Sequence, residues 1–194
     1  VQAMHRITDI YGPCVYSSFG TPNTTVFPYD SQEDVYKQMF SELDKAITGL
    51  TPIAKANIAG NKTSLFASSD VSSYGGDYSK WVKYANSLRL RLAMRIVKVN
   101  PAEAKKQAEL AVSQEFGVLT TKADTFTLQP KNYSNPISDI SQGWGDIKMS
   151  ADMESIMGGY NDPRLSAFFL TSKQFPGEYK GIRTGIQIAN KSDR

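Results

Sequence analysis

The sequence predicts an all-α fold with long irregular loops, and three features carry that expectation. Trp81, Tyr84, Ala85, Leu88, Leu92, Ile96 and Val99 recur at helical spacing on one face of the run from Tyr74 to Pro101. Val35, Met39, Leu43, Ala46, Ile47 and Leu50 make a second such stripe. The joint at Val99-Asn100 is so short that whatever follows Pro101 must fold back as the second arm of a helical hairpin.

The first thirty residues read as loop. Gly12-Pro13, Gly20, Pro22 and Pro28 stand too close together for a long element. Tyr11, Tyr16, Phe19, Phe27 and Tyr29 are expected mostly to pin this segment onto helices. Ser31 with Asp34 three residues on resembles a capping box and opens a helix to Leu50, where Gly49 and Thr51-Pro52 end it. Residues 51–76 then form a connection with a turn at Gly60-Asn61. Gly75-Gly76 breaks that stretch, and Asp77 or Ser79 caps the central helix, which Asn100-Pro101 stops. Leu90, Met94 and Val97 make its back apolar as well, so neighbours are expected front and back. Arg95, at the edge of the main face, needs a carboxylate partner if buried.

Asn100 caps the next helix, with Pro101 in first position, Glu103 as reciprocal partner, and a small buried face of Ala104, Ala108 and Ala111. Alanines let two helix axes approach closely. Residues 118–148 lack a sustained period but carry Phe126, Tyr133, Asn135-Pro136 and Gln142-Gly143-Trp144-Gly145-Asp146. Trp and Tyr in a loop this long argue for function rather than disorder. Ser150 caps a short helix with Met153, Ile156 and Met157. Asp162 caps another, with Leu165, Phe168 and Phe169 expected inward, and the end from Phe175 reads as irregular.

A chain of 194 residues suits one domain or a large piece of one. The net charge of +3 is mild, with Lys and Arg interspersed among Asp and Glu, which disfavours nucleic acid as a partner. Cys14, the only cysteine, excludes an internal disulfide and any multi-thiolate metal site. No run is apolar enough to cross a bilayer, and no signal peptide stands at the start. The opening at Val1 reads as the middle of something, so residues 1–194 are expected to be one helical domain, an internal fragment of a longer protein.

No catalytic constellation, metal set or cofactor motif emerges. His5 is the only histidine; it can pair with Asp9 on a helical turn, but a surface position is expected. Gly75-Gly76 and Gly158-Gly159 lack the lysine and strand of a phosphate cradle, and the conspicuous carboxylates have capping roles. These residues disfavour an enzyme.

Four runs resemble the SusD/RagB family of nutrient-binding Bacteroidetes outer-membrane lipoproteins, in its SusD-like branch. They are ITDIYGP, YDSQEDVYKQMFSELDKAI, GGDYSKWVKYANSLRLRLAMRI, and WGDIKMSADM with GYNDPRL after it. The resemblance runs from about Ile7 to about Gly185. It implies tetratricopeptide-like helix pairs, loops that build a glycan- or peptide-binding surface, and a lipid anchor facing the cell exterior. It also implies a SusC-like TonB-dependent transporter as partner. The hairpin of Tyr78 to Gln114 agrees with one such pair, and Ser31 to Leu50 would belong to its neighbour. Cys14 lacks the context of a lipid anchor, and the chain is about half the length expected of the family.

The implied function is non-enzymatic capture of an oligosaccharide or similar nutrient. Sugars present apolar ring faces and hydroxyl edges, which suit aromatic platforms with Asn and Asp partners. The candidate ligand-binding residues are Trp144, Tyr133, Asn135 and Asp146 in the long loop, with Tyr74, Tyr78 and Asp77 ahead of the central helix. Asp77 and Tyr78 fit a structural role at the helix start equally well, and Trp81 is expected in the core. A peptide cargo, or a module that only docks on the transporter, is the alternative.

Overall fold

The computed structural model describes residues 1–22, 25–128, 134–188 and 190. They form two compact units, Val1–Lys131 and Asn132–Arg194. The chain is all-α: among the described residues β-pairing is limited to isolated bridges.

The first unit opens with a helix, α1 (Gln2–Tyr11), where the sequence reads as loop. Its face is inverted, which hides it from a search for apolar periodicity: His5 and Thr8 are buried while Ile10 and Tyr11 are exposed. The packing is polar. Asp9 Oδ1 accepts the Tyr36 hydroxyl at 2.6 Å, and Asp9 Oδ2 pairs with Arg95 at 2.9 Å. Arg95 is exposed rather than buried, yet it still finds a carboxylate partner in Asp9. His5 is buried, not on the surface, with Nε2 2.8 Å from Asp9 Oδ2. Burial lowers its pKa, Asp9 opposes that, and Arg91 and Arg95 reinforce it. Gly12, at φ +76°, ends α1, a turn open to glycine at little cost.

Cys14 and Asp30 form an antiparallel bridge, and Tyr16 reaches back to donate its hydroxyl to Glu42. Tyr16 thus pins the segment as expected, whereas Tyr11, Phe19 and Tyr29 are exposed.

Helix α2 (Gln32–Gly60) starts as expected, with Ser31 Oγ accepting the Asp34 amide at 3.1 Å. It does not stop at Thr51-Pro52 but continues through Pro52 to Gly60. The carbonyl that Pro52 leaves without its helical donor belongs to Thr48, an exposed residue, so it can be hydrated. Thr51 meanwhile donates its hydroxyl to the Ile47 carbonyl at 2.7 Å. Asn61 closes the helix in the left-handed region.

Helix α3 (Tyr78–Arg95) has Asp77 as N-cap and ends four residues earlier than expected, with Ile96–Val99 in turns. It packs against α2, and Val35, Met39, Leu43, Ile47, Val82, Leu88 and Leu92 form the shared core. The back is not covered as expected. Met94 and Val97 are exposed and Leu90 is half-buried, and Val99, expected on the buried face, is exposed as well because the helix has already ended at Arg95.

Helix α4 (Pro101–Ser113) returns along α3 as the second arm of the hairpin. Ala104 and Ala111 are buried, and Asn86 of α3 donates to Gln114 Oε1 at 2.9 Å and to the Gly117 carbonyl at 2.8 Å. Asn100 caps it through the Glu103 amide. The Glu103 carboxylate turns to Gln107 instead of completing a reciprocal box.

In the second unit Asn135 caps a short helix, α5 (Pro136–Ser138), that widens into a π-turn at Asp139–Gly143. Ser150 caps α6 (Ala151–Gly159), as expected. Glu154 accepts the Gly181 amide at 2.7 Å, and Ser150 and Ile182 form a parallel bridge. The last helix, α7 (Leu165–Phe168), is one turn long. Its Phe168 is exposed rather than inward because so short a helix has no continuous buried face.

Candidate functional site

Residues 61–77 cross from α2 to α3 as a loop held by its own hydrogen bonds. The Asp70 amide donates to the Phe66 carbonyl at 2.9 Å, and Ser69 to the same oxygen at 3.0 Å. Asp70 Oδ1 accepts the Ser72 amide at 2.9 Å; Oδ2 accepts the Gly76 amide at 2.7 Å and the Trp81 indole at 2.9 Å. Burial raises the Asp70 pKa, but the donors of Ser72, Trp81 and Gly76 together outweigh it and bring it down to about 2. Gly76 sits at φ +79° with the Ala67 backbone so close that an added Cβ would fall 2.7 Å from its Cα.

Behind this loop Tyr74, Trp81, Tyr84 and Phe126 form an aromatic cluster, with ring centroids 5.5 Å apart for Tyr74–Trp81 and 4.6 Å for Tyr84–Phe126. In front lies a cleft of about 390 Å³ lined by Leu50, Phe66, Ser69, Asp70, Tyr78 and Trp81. Its surface is almost wholly apolar. Phe66 stands at its rim, 64% exposed.

A second depression of about 1110 Å³ lies along α2, the end of α3 and the start of α4. Arg89, only 4% exposed, lines it and holds Asp44 at 2.8 Å. Charges of both signs surround it, with Lys37 and Lys106 against Glu33 and Glu103.

The sequence candidates divide between the two units. Tyr74 cannot offer a platform: it is 5% exposed, and its hydroxyl donates to the Asp124 carbonyl at 2.8 Å. Burial pushes that phenol up to about 12. Asp77 spends Oδ1 on the Ser79 and Lys80 amides at 2.9 and 3.3 Å, as an N-cap does. Tyr78 lines the cleft. In the second unit Trp144 is 63% exposed, immediately after the π-turn, and its amide donates to the Asp139 carbonyl at 2.9 Å. Asn135 uses Oδ1 to accept the Ile137 amide at 3.0 Å. Asp146 is exposed, with its amide on the Ile140 carbonyl at 3.0 Å. Tyr133 lies outside the described residues.

Sequence reasoning did not single out Phe66 or Asp70 and expected Trp81 in the core, whereas Trp81 is half-buried and lines the cleft. The signal available was Asp70-Val71-Ser72, whose spacing suits an aspartate that turns its own backbone. Among the described residues no group of three His, Cys, Asp or Glu side chains could hold a metal ion, and no helix is long and apolar enough to cross a membrane.

A family model described as SusD-like, Susd and RagB outer membrane lipoprotein, matches residues 1–194. The chain belongs to the SusD-like family. With that membership comes the family's location, the outer membrane, as a lipoprotein. Among solved structures, a chitin-binding SusD homologue from Flavobacterium johnsoniae is 56% identical with a TM-score of 0.83, covering 100% of this chain and 39% of its own. A SusD homologue from Bacteroides uniformis is 43% identical with a TM-score of 0.73, covering 93% of this chain and 37% of its own. A chitin-binding protein is 34% identical with a TM-score of 0.67, over 96% of this chain and 40% of its own. The SusD-like chain thus spans about two-fifths of the length of these structures. No curated protein matches it.

Proposed function

We propose that this SusD-like chain takes part in capturing chitin-type oligosaccharides at the cell surface, for import by a SusC-type TonB-dependent transporter. One observation carries the reading: 56% identity along the whole chain with a chitin-binding homologue. The geometry supports it, since Trp144 and the Phe66 cleft offer exposed aromatic rings of the kind pyranose faces stack on. The role is binding without turnover.

Calorimetric titration of the chain with chitohexaose, with maltohexaose and a mixed peptide pool as controls, tests this. Chitohexaose alone is expected to bind and to be recovered uncleaved. Trp144→Ala is expected to weaken binding with the circular dichroism spectrum unchanged. Absence of chitohexaose binding, or binding of the peptides in its place, overturns the proposal.

A further inference from the structure

The cleft in front of Trp81 has the marks of a built site. Its rim residue, Phe66, is a large apolar ring held out in water. The segment that carries it is tied down by the paired bonds to the Phe66 carbonyl, the three donors on Asp70 and the Gly76–Ala67 approach. Ordering such a loop costs backbone entropy, and the Phe66 ring, 64% exposed, gains little burial in return. Fixing the walls before a ligand arrives reduces what binding must later spend on order.

The lining also defines the ligand. Asp70 is the one charged side chain among these lining residues, and its carboxylate oxygens are committed to the Ser72, Gly76 and Trp81 donors, so it turns anions away and is not presented as a ligand contact. The other lining residues with hydroxyls are Ser69 and Tyr78, alongside the apolar Leu50, Phe66 and Trp81. A volume of about 390 Å³ sits at the small end of ligand pockets, which run from roughly 300 to 1,000 Å³. These features select an uncharged, flat group with one apolar face and a hydrogen-bonding rim.

We infer that the cleft of Leu50, Phe66, Ser69, Tyr78 and Trp81 is a preformed subsite for one acetamido-pyranose unit of the glycan. Phe66 stacks on the ring or on the acetamido methyl, and Asp70 acts as the positioning residue for the Trp81 indole. The assignment rests on the glycan reading above and is separate from the Trp144 loop.

The test follows the Trp81 indole N–H by NMR in the full chain during titration with chitohexaose, alongside affinities of Phe66→Ala and Phe66→Tyr. Phe66 is exposed, so neither change removes a core contact. The Trp81 signal, identified by its loss in Trp81→Phe, is expected to move with saturation. Phe66→Ala is expected to raise Kd about tenfold or more, and Phe66→Tyr to restore it to within about twofold. Chitohexaose binding that leaves the Trp81 signal still and is indifferent to Phe66→Ala overturns the subsite while leaving the glycan reading standing. A wild-type chain that binds no chitohexaose overturns both.

Discussion

Asp9 ties three helices, and removing its carboxylate gives a worked test of how α1 is held. Asp9→Ala deprives the Tyr36 hydroxyl, in a residue only 6% exposed, of its 2.6 Å acceptor. A buried hydroxyl left without a partner costs about 1–3 kcal/mol. The Arg95 partner is 53% exposed, so losing that pair adds only about 0–1 kcal/mol. Together these amount to about 1–4 kcal/mol. Asp9→Asn keeps a carbonyl oxygen for Tyr36 and gives up only the charge, so about 1 kcal/mol is expected. Urea unfolding followed by far-UV circular dichroism reads the difference. With a slope of about 1–3 kcal/mol per molar, Asp9→Ala moves the midpoint down by about 1 M. His5 adds a pH arm. Its folded pKa lies below the ordinary histidine value of 6.5, so the unfolded chain binds more protons, and stability falls as pH drops through and below that value. Asp9 is the anion that favours the charged imidazole, so Asp9→Ala steepens that fall. A midpoint for Asp9→Ala within about 0.2 M of wild type, or equal losses for the Ala and Asn variants, would refute the reasoning.

Three further outcomes are expected. Asp44→Ala leaves the buried Arg89 guanidinium without its carboxylate and should destabilise more than Arg89→Met, which removes the buried charge, as urea midpoints of the two variants will report. Gly76→Ala places a methyl against the Ala67 backbone at φ +79°, which should cost more than about 1 kcal/mol and shift the Trp81 indole signal as the loop lifts. For Asp70, depressed from 3.8 to about 2, the stabilisation is present above pH 3.8 and disappears as pH falls towards 2. Discounted for its partial exposure it is about 1 kcal/mol. The stability gap between wild type and Asp70→Asn should therefore close across that interval in an acid titration.

The α3–α4 hairpin was legible because its signals are local. Asp77 caps one helix, Asn100-Pro101 starts the next after a short turn, and Ala104 and Ala111 are buried as expected. Elements set by distant partners were not. Helix α1 is fixed by Tyr36 and Arg95, so its buried face is polar and has no apolar period. Pro52 reads as a stop only if the carbonyl it orphans must be buried, and Thr48 is exposed. The apolar back of α3 predicts covering neighbours, yet Met94 and Val97 are exposed among the described residues. Of the candidate ligand contacts, the exposure of Trp144 was legible as an indole in a long loop. Phe66 was not, because its meaning comes from Asp70 reaching Trp81, eleven positions along the chain. Tyr74 misleads for the mirrored reason: its loop position suggests a surface ring, but its hydroxyl is claimed by a carbonyl fifty positions away.

Cys14, a single free thiol that is 7% exposed, sits where the chain bridges to Asp30 just before α2. A sulfhydryl reagent added to the native protein can react there only when that bridge opens. The labelling rate therefore meters local breathing at the entrance to α2 without any engineered probe. Comparing that rate with whole-chain melting would tell whether the α1 end loosens by itself or only with the hairpin.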